Sequence, residues 1–201
     1  MKSIEAKIKN RITKIKTGSV VTPAHFLDIG SRQAVDIALH RLVKNNQLRR
    51  IARGLYDSPR EDPDLGLLAP SVDEIVKAVQ ERDNTVIQAS GGYAANQLGL
   101  SDQVPMKLVF YTNGPERRMT IGKRTIFFKH TTPRNMATAN RKSGQVIQAL
   151  RYLGKSNIDE IVITKLQQQL SCSDKQQLLQ DLRYAPAWIG AIIRRIVKDE
   201  E

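Results

Sequence analysis

Between Ser31 and Asn46 the apolar positions recur in steps of three and four. Val35, Ala38, Leu39, Leu42 and Val43 share one helical face, while Arg32, Gln33, Asp36, His40 and Arg41 fall mostly on the other. Ser31 can cap this helix, because its hydroxyl accepts a first-turn N–H that has no partner within the helix. Asn45-Asn46 end it. The period then changes from helical to alternating. A short run from Leu48 to Ala52, a turn at Arg53-Gly54 and a second run from Leu55 to Asp57 predict a small basic hairpin.

The preceding segment predicts a first helix over Ser3 to Lys16, with Ile4, Ile8, Ile12 and Ile15 as its apolar stripe. Its lysines are either a solvated face or a polyanion-facing one. Ser19 to Thr22 is extended, and Val20 and Val21 can pair with the hairpin. Thr22-Pro23 starts a short helix over Ala24 to Leu27, and Gly30 permits a tight turn into the long helix. The order of helix, short strand, short helix, turn, long helix and hairpin is that of a winged helix-turn-helix.

Three prolines and several acids break all periodicity from Ser58 to Pro70, which reads as a linker. Asp62 and Asp64 find no matching carboxylates downstream, so a solvated loop is the better account than an acid pair. Ser71, with Glu74 three residues on, opens a helix to Arg82 in the capping-box pattern. Strands follow at Thr85–Ala89, Lys107–Thr112, Arg118–Ile121 and Arg124–His130, the last two around Gly122-Lys123. Gly91 to Leu98 reads as a small helix. The tail is helical over Ser143–Leu153, Ile158–Leu170, Asp174–Tyr184 and Ala187–Val197. Trp188, Ile192, Ile193 and Ile196 are core positions of the last helix, or alternatively a partner surface. The expected fold is α+β: a winged helix-turn-helix domain over residues 1–58, a linker over 59–70, and a second α+β domain over 71–201. The second domain should carry a small, mostly antiparallel sheet and a helical tail.

Charge sharpens this picture. The chain of 201 residues has a formal net charge of +12. From Met1 to Arg60 there are 13 Lys/Arg against 4 Asp/Glu; the remainder has 19 against 16. A basic excess confined to the helix–hairpin region is the footprint of a polyanion binder. Double-stranded DNA is the expected partner, with the long helix in the major groove. Arg32, Gln33, Asp36, His40 and Arg41 are candidates for base edges or adjacent phosphates, and Asp36 can instead orient Arg32. Arg49, Arg50 and Arg53 are candidates for phosphates or the minor groove from the hairpin, with Lys14, Lys16 and Lys44 adding backbone contacts.

No catalytic constellation emerges, and neither enzyme activity nor a cofactor is expected. His25, His40 and His130 have no metal-ligand spacing. The lone Cys172 rules out an internal disulfide and fits a reducing cytoplasm. Ser90-Gly91-Gly92 lacks the full P-loop or dinucleotide pattern, so a tight turn or close backbone packing explains it better than a phosphate cradle. No stretch is long and apolar enough for a membrane span.

The N-terminal pattern closing on RRIARGLYDSP (Arg49 to Pro59) resembles the winged-helix domain of the AbiEi-type antitoxins of bacterial type IV toxin–antitoxin and abortive-infection systems. VIQASGGYAANQLGLSDQVPMKLVFYTNG (Val86 to Gly114), IGKRTIFFKHTTPRN (Ile121 to Asn135) and SGQVIQALRYLG (Ser143 to Gly154) are similar to the second domain of a related bacterial group. The resemblance implies a repressor of its own operon whose C-terminal region counteracts a nucleotidyltransferase-type toxin without needing to bind it. A monomer or weak homodimer would serve. The competing expectations are a protein-interaction module with a structural winged helix and, more remotely, an enzyme acting on nucleic acid.

Overall fold

In the computed structural model, which describes residues 3–103, 105–122 and 124–198, the chain divides into two units, Met1–Thr85 and Val86–Glu201. The architecture is α+β in both. The first unit opens with helix α1 (Ile4–Ile12), capped by the Ser3 hydroxyl. It is shorter than its isoleucine stripe predicts: after Ile12 the backbone tightens to i→i+3 bonds, Lys14 to Arg11 and Ile15 to Ile12. Strand β1 (Val20–Val21) and a 3-10 turn (Pro23–Phe26) follow. Helix α2 (Arg32–Lys44) starts at its Ser31 cap, as expected. It leads through Asn46, which adopts a left-handed φ of 56°, into strands β2 (Arg49–Ala52) and β3 (Leu55–Asp57).

These strands form an antiparallel sheet in the order β1-β3-β2, so β3 is central. Ile8, Phe26, Val35, Leu39 and Leu42 pack beneath it with Leu48 and Tyr56 in one core. The expected linker is partly ordered as a minimal hairpin, β4 (Glu61–Asp62) and β5 (Gly66–Leu67). Asp62 closes its turn by accepting the N–H groups of Asp64 and Leu65, each at 3.0 Å. Helix α3 (Val72–Asp83) belongs to this first unit rather than opening the second. It packs on β1 and β3. The Ser71 hydroxyl caps it through the Glu74 N–H. The boundary expected at residue 71 therefore lies after Thr85, because the apolar face of α3 is buried within the N-terminal unit.

The second unit begins with β6 (Ile87–Ala89) and helix α4 (Gly91–Gln97). Strands β7 (Lys107–Thr112), β8 (Arg117–Ile121) and β9 (Arg124–His130) complete a four-stranded sheet in the order β6-β7-β9-β8. Lys123, expected in the turn between β8 and β9, lies outside the described residues. Two ladders are antiparallel, and β7 pairs β9 in parallel, Leu108 opposite Ile126 and Phe110 opposite Phe128. The tail adds a short α5 (Pro133–Met136), which the hydrophobic pattern misses, then α6 (Lys142–Leu153), α7 (Glu160–Gln169), α8 (Cys172–Gln180) and α9 (Ala187–Val197). Ile189, Ile192, Ile193 and Ile196 are buried against α6, α7 and α8, with Trp188 at the edge. The apolar face of α9 is thus core, the first of its two expected readings. No helix among the described residues is long and apolar enough to cross a membrane.

Candidate nucleic-acid interface

Helix α2 has two chemically distinct faces. Val35, Ala38, Leu39 and Leu42 are buried. Arg32, Gln33, Ile37, His40, Arg41 and Lys44 are exposed, and Asp36 is half-buried among them. The outer face is an open concavity lined by Arg32, Gln33, Asp36, Ile37, His40 and Arg41. Arg32 donates through Nε to Asp36 at 2.9 Å, one turn along the same helix. An exposed pair of this kind adds little stability but restricts the side chain. The bond uses only Nε of the Arg32 guanidinium, so Asp36 orients the side chain by one edge. Arg41 lies 3.9 Å from Glu5, a loose contact that leaves it largely in solvent.

Ile37 is the residue that polarity-based reading passes over. It is 48% exposed in the middle of the polar surface. Its signal in the sequence was an isoleucine two positions off the buried stripe. An apolar side chain among hydrogen-bond donors offers the one contact on this face suited to an apolar group.

The hairpin separates its three arginines. Arg50 and Arg53 are exposed. Arg49 is half-buried and engaged within the sheet. It grips Asp57 on the facing strand through Nε–Oδ1 at 3.0 Å and Nη2–Oδ2 at 2.6 Å, and Nη2 also donates to the Leu68 carbonyl at 2.7 Å. The Asp57 side chain is 1% exposed because β3 is the central strand. A buried carboxylate requires a partner, and Arg49 sits directly opposite in register. The hydrogen bonds to Asp57 raise the Arg49 pKa above its ordinary value. Arg49 therefore has a structural role that its place in a basic hairpin does not announce: it holds β2 to β3.

Several contacts brace this surface. Arg82 of α3 donates to the Arg53 carbonyl at 2.7 Å at the hairpin tip, while Nε and Nη2 hold Asp83 at 2.8 and 3.1 Å. Arg11 forks onto Asp28 at 2.7 and 2.6 Å and also donates to the His25 carbonyl at 2.8 Å, tying α1 to the turn before α2. The hydrogen bond from Arg11 holds the Asp28 carboxyl below its ordinary pKa. His25 accepts the Thr22 N–H through Nδ1 at 3.3 Å. Its Nε2 therefore carries the proton and donates to Glu81 at 2.9 Å. Lys14 and Lys16 are exposed beyond the end of α1.

The other candidate chemistry resolves into structure. Among the described residues no group of three or more His, Cys, Asp or Glu converges as a metal site. Ser90 Oγ donates to the Val109 carbonyl at 3.1 Å. A Cβ at Gly92 would lie 3.1 Å from the Tyr152 ring, and Gly91 adopts a left-handed φ of 56°, so close packing and a tight turn account for the glycine pair. Cys172 is a free, exposed thiol. Buried Asp181 accepts from Ser143 Oγ at 2.6 Å, Arg141 at 2.8 Å and Gln177 at 3.1 Å, a satisfied acid that joins the start of α6 to the end of α8.

A family model described as "Family of unknown function (DUF6088)" matches residues 7–178, and the chain belongs to that family. No curated protein matches. One solved structure, described as the crystal structure of RV2827C protein from Mycobacterium tuberculosis, is similar at 13% identity with a TM-score of 0.48. The alignment covers 98% of this chain and 82% of that one.

Proposed function

We propose that this member of the DUF6088 family is a sequence-specific DNA-binding protein whose N-terminal unit works as a winged helix-turn-helix. In this reading α2 enters the major groove, and the β2–β3 hairpin is the wing that flanks it. The observation that carries it is the two-faced character of α2. Its apolar side is sealed into the core, while Arg32, Gln33, Ile37, His40, Arg41 and Lys44 stand in solvent, with Arg50 and Arg53 on the hairpin that follows. Gln33 and Arg32 supply the donor–acceptor patterns that discriminate adenine and guanine. Arg41, Lys44, Arg50 and Arg53 supply phosphate contacts, which set affinity and salt dependence but carry no sequence information. The net excess of positive charge before Glu61 steers the chain to the duplex.

The resemblance to AbiEi-type antitoxins gives this binding a role. The protein represses its own operon from the cytoplasm and is paired functionally with a nucleotidyltransferase-type toxin. The test is a gel shift on the DNA upstream of its own gene against a scrambled duplex at two salt concentrations. Retention of the upstream complex alone at the higher salt is the expected result. Equal, salt-sensitive binding to both duplexes would refute sequence-specific repression.

A further inference from the structure

The sheet of the second unit has two unlike faces. Leu108, Phe110, Ile126 and Phe128 point to the buried one, each no more than 2% exposed. The alternate positions form the other face. There Val109 lies opposite Phe127, Tyr111 opposite Lys129, and Arg118 opposite Phe127 from the far side. Lys107, Arg118 and Lys129 are exposed, while Tyr111 and Phe127 are half-buried between them. The Arg118 guanidinium stands 5.6 Å from the centre of the Phe127 ring. Together β7, β8 and β9 contain five Lys/Arg and no Asp or Glu.

We infer that this face binds single-stranded RNA, with Phe127 and Tyr111 as stacking platforms and Lys107, Arg118 and Lys129 as phosphate contacts. Aromatic residues alone are ordinary strand formers. What sets these apart is their company: the basic residues share their face, and no carboxylate on the three strands opposes a polyanion. The two rings lie on the adjacent inner strands and two positions apart in register, so each serves a different base. A broad sheet face has no groove-fitting element for a duplex, and bases inside a duplex cannot reach a flat aromatic; an unpaired strand presents its bases for stacking. The Thr120 and Thr125 hydroxyls, opposed across β8 and β9 on this face, supply partners for a 2′-hydroxyl. This site is independent of the duplex reading given to α2.

The test is fluorescence anisotropy of the full chain with a short labelled RNA, an abasic strand of equal length and charge, and the matching deoxyribose strand. The RNA should bind roughly thirty-fold tighter than the abasic strand or more, since stacking contributes about 1–3 kcal/mol per base and two bases are stacked. Phe127→Leu keeps an apolar side chain at this half-buried position but removes the platform. It should erase most of that preference while leaving the circular-dichroism spectrum and the duplex gel shift unchanged. Equal binding of wild type to RNA and abasic strands would overturn the proposal. So would tighter binding of the deoxyribose strand, or a preference that survives in Phe127→Leu combined with Tyr111→Leu. None of these results bears on the duplex complex, so the two readings fail separately.

Discussion

Arg49 provides the sharpest separation of scaffold from interface. Arg49→Ala removes three hydrogen bonds and leaves the Asp57 carboxylate, 1% exposed, without its cation. Breaking a buried pair by deleting one partner costs about 3–5 kcal/mol. The Arg49 side chain is itself 33% exposed, so water can enter the vacated space and the lower end, about 3 kcal/mol, applies. For a chain of this length that is a fall of about 6–12 °C in melting temperature. Arg53→Ala, at the exposed hairpin tip, should stay within about 0.5 kcal/mol of wild type. On duplex DNA the order reverses: Arg53→Ala should lower the slope of log K against log salt by about 0.9, one phosphate contact. Differential scanning calorimetry and salt-dependent anisotropy on both variants are the assays. If Arg49→Ala melts with wild type and loses a phosphate contact as Arg53→Ala does, the assignment of Arg49 to the scaffold is wrong.

Three further outcomes are expected. Replacing thymine by deoxyuridine in the bound duplex should weaken wild type about four-fold, the value of about 0.8 kcal/mol for one buried methyl, and leave Ile37→Ala unaffected; equal losses in both proteins would remove Ile37 from the base-reading set. Asp28 is held by the Arg11 hydrogen bond below its ordinary pKa of 3.8. A depressed carboxyl contributes stability that is present above the ordinary value and lost as pH falls through the lowered one. Asp28→Asn should therefore flatten the dependence of the melting temperature on pH as pH falls through and below the ordinary value of 3.8, and an unchanged acid slope would contradict the pairing. Gly144→Ala should destabilise by about 1–3 kcal/mol in a urea titration, although alanine is the better helix former. Its Cβ would sit 2.2 Å from the Thr138 carbonyl oxygen and 2.8 Å from Gln88 Nε2; a stabilised variant would show that this contact relaxes freely.

Local signals were legible where the physics is local. The α2 stripe, its Ser31 cap, the β2–β3 hairpin and the full extent of α9 follow from spacing and capping within a few residues. What was not legible depends on partners distant in the chain. The apolar face of α3 looks the same whether it seals the preceding strands or opens a new domain, and only its packing on β1 and β3 decides. Arg49 is one of three arginines in a basic hairpin until β3 becomes central and buries Asp57 opposite it. The parallel pairing of β7 with β9 is invisible to a turn signal, because the intervening strand is not the neighbour of both. Ile37 gives no signal by polarity, because it is a single apolar interruption of an otherwise polar face.

That placement of β9 between β7 and β8 also dictates an order of assembly. During synthesis β7 and β8 both leave the ribosome before the strand that joins them. Until Arg124–His130 emerges, β7 has a ladder only with β6, and β8 has none. The β8–β9 hairpin is the local event, closing on the microsecond scale, and its docking along β7 is the long-range step that follows. Ile126, opposite both Leu108 and Met119, is the point at which the two ladders meet. A nascent chain stopped short of it carries β7 with one edge unpaired, and so has a window of aggregation risk that closes with a single strand.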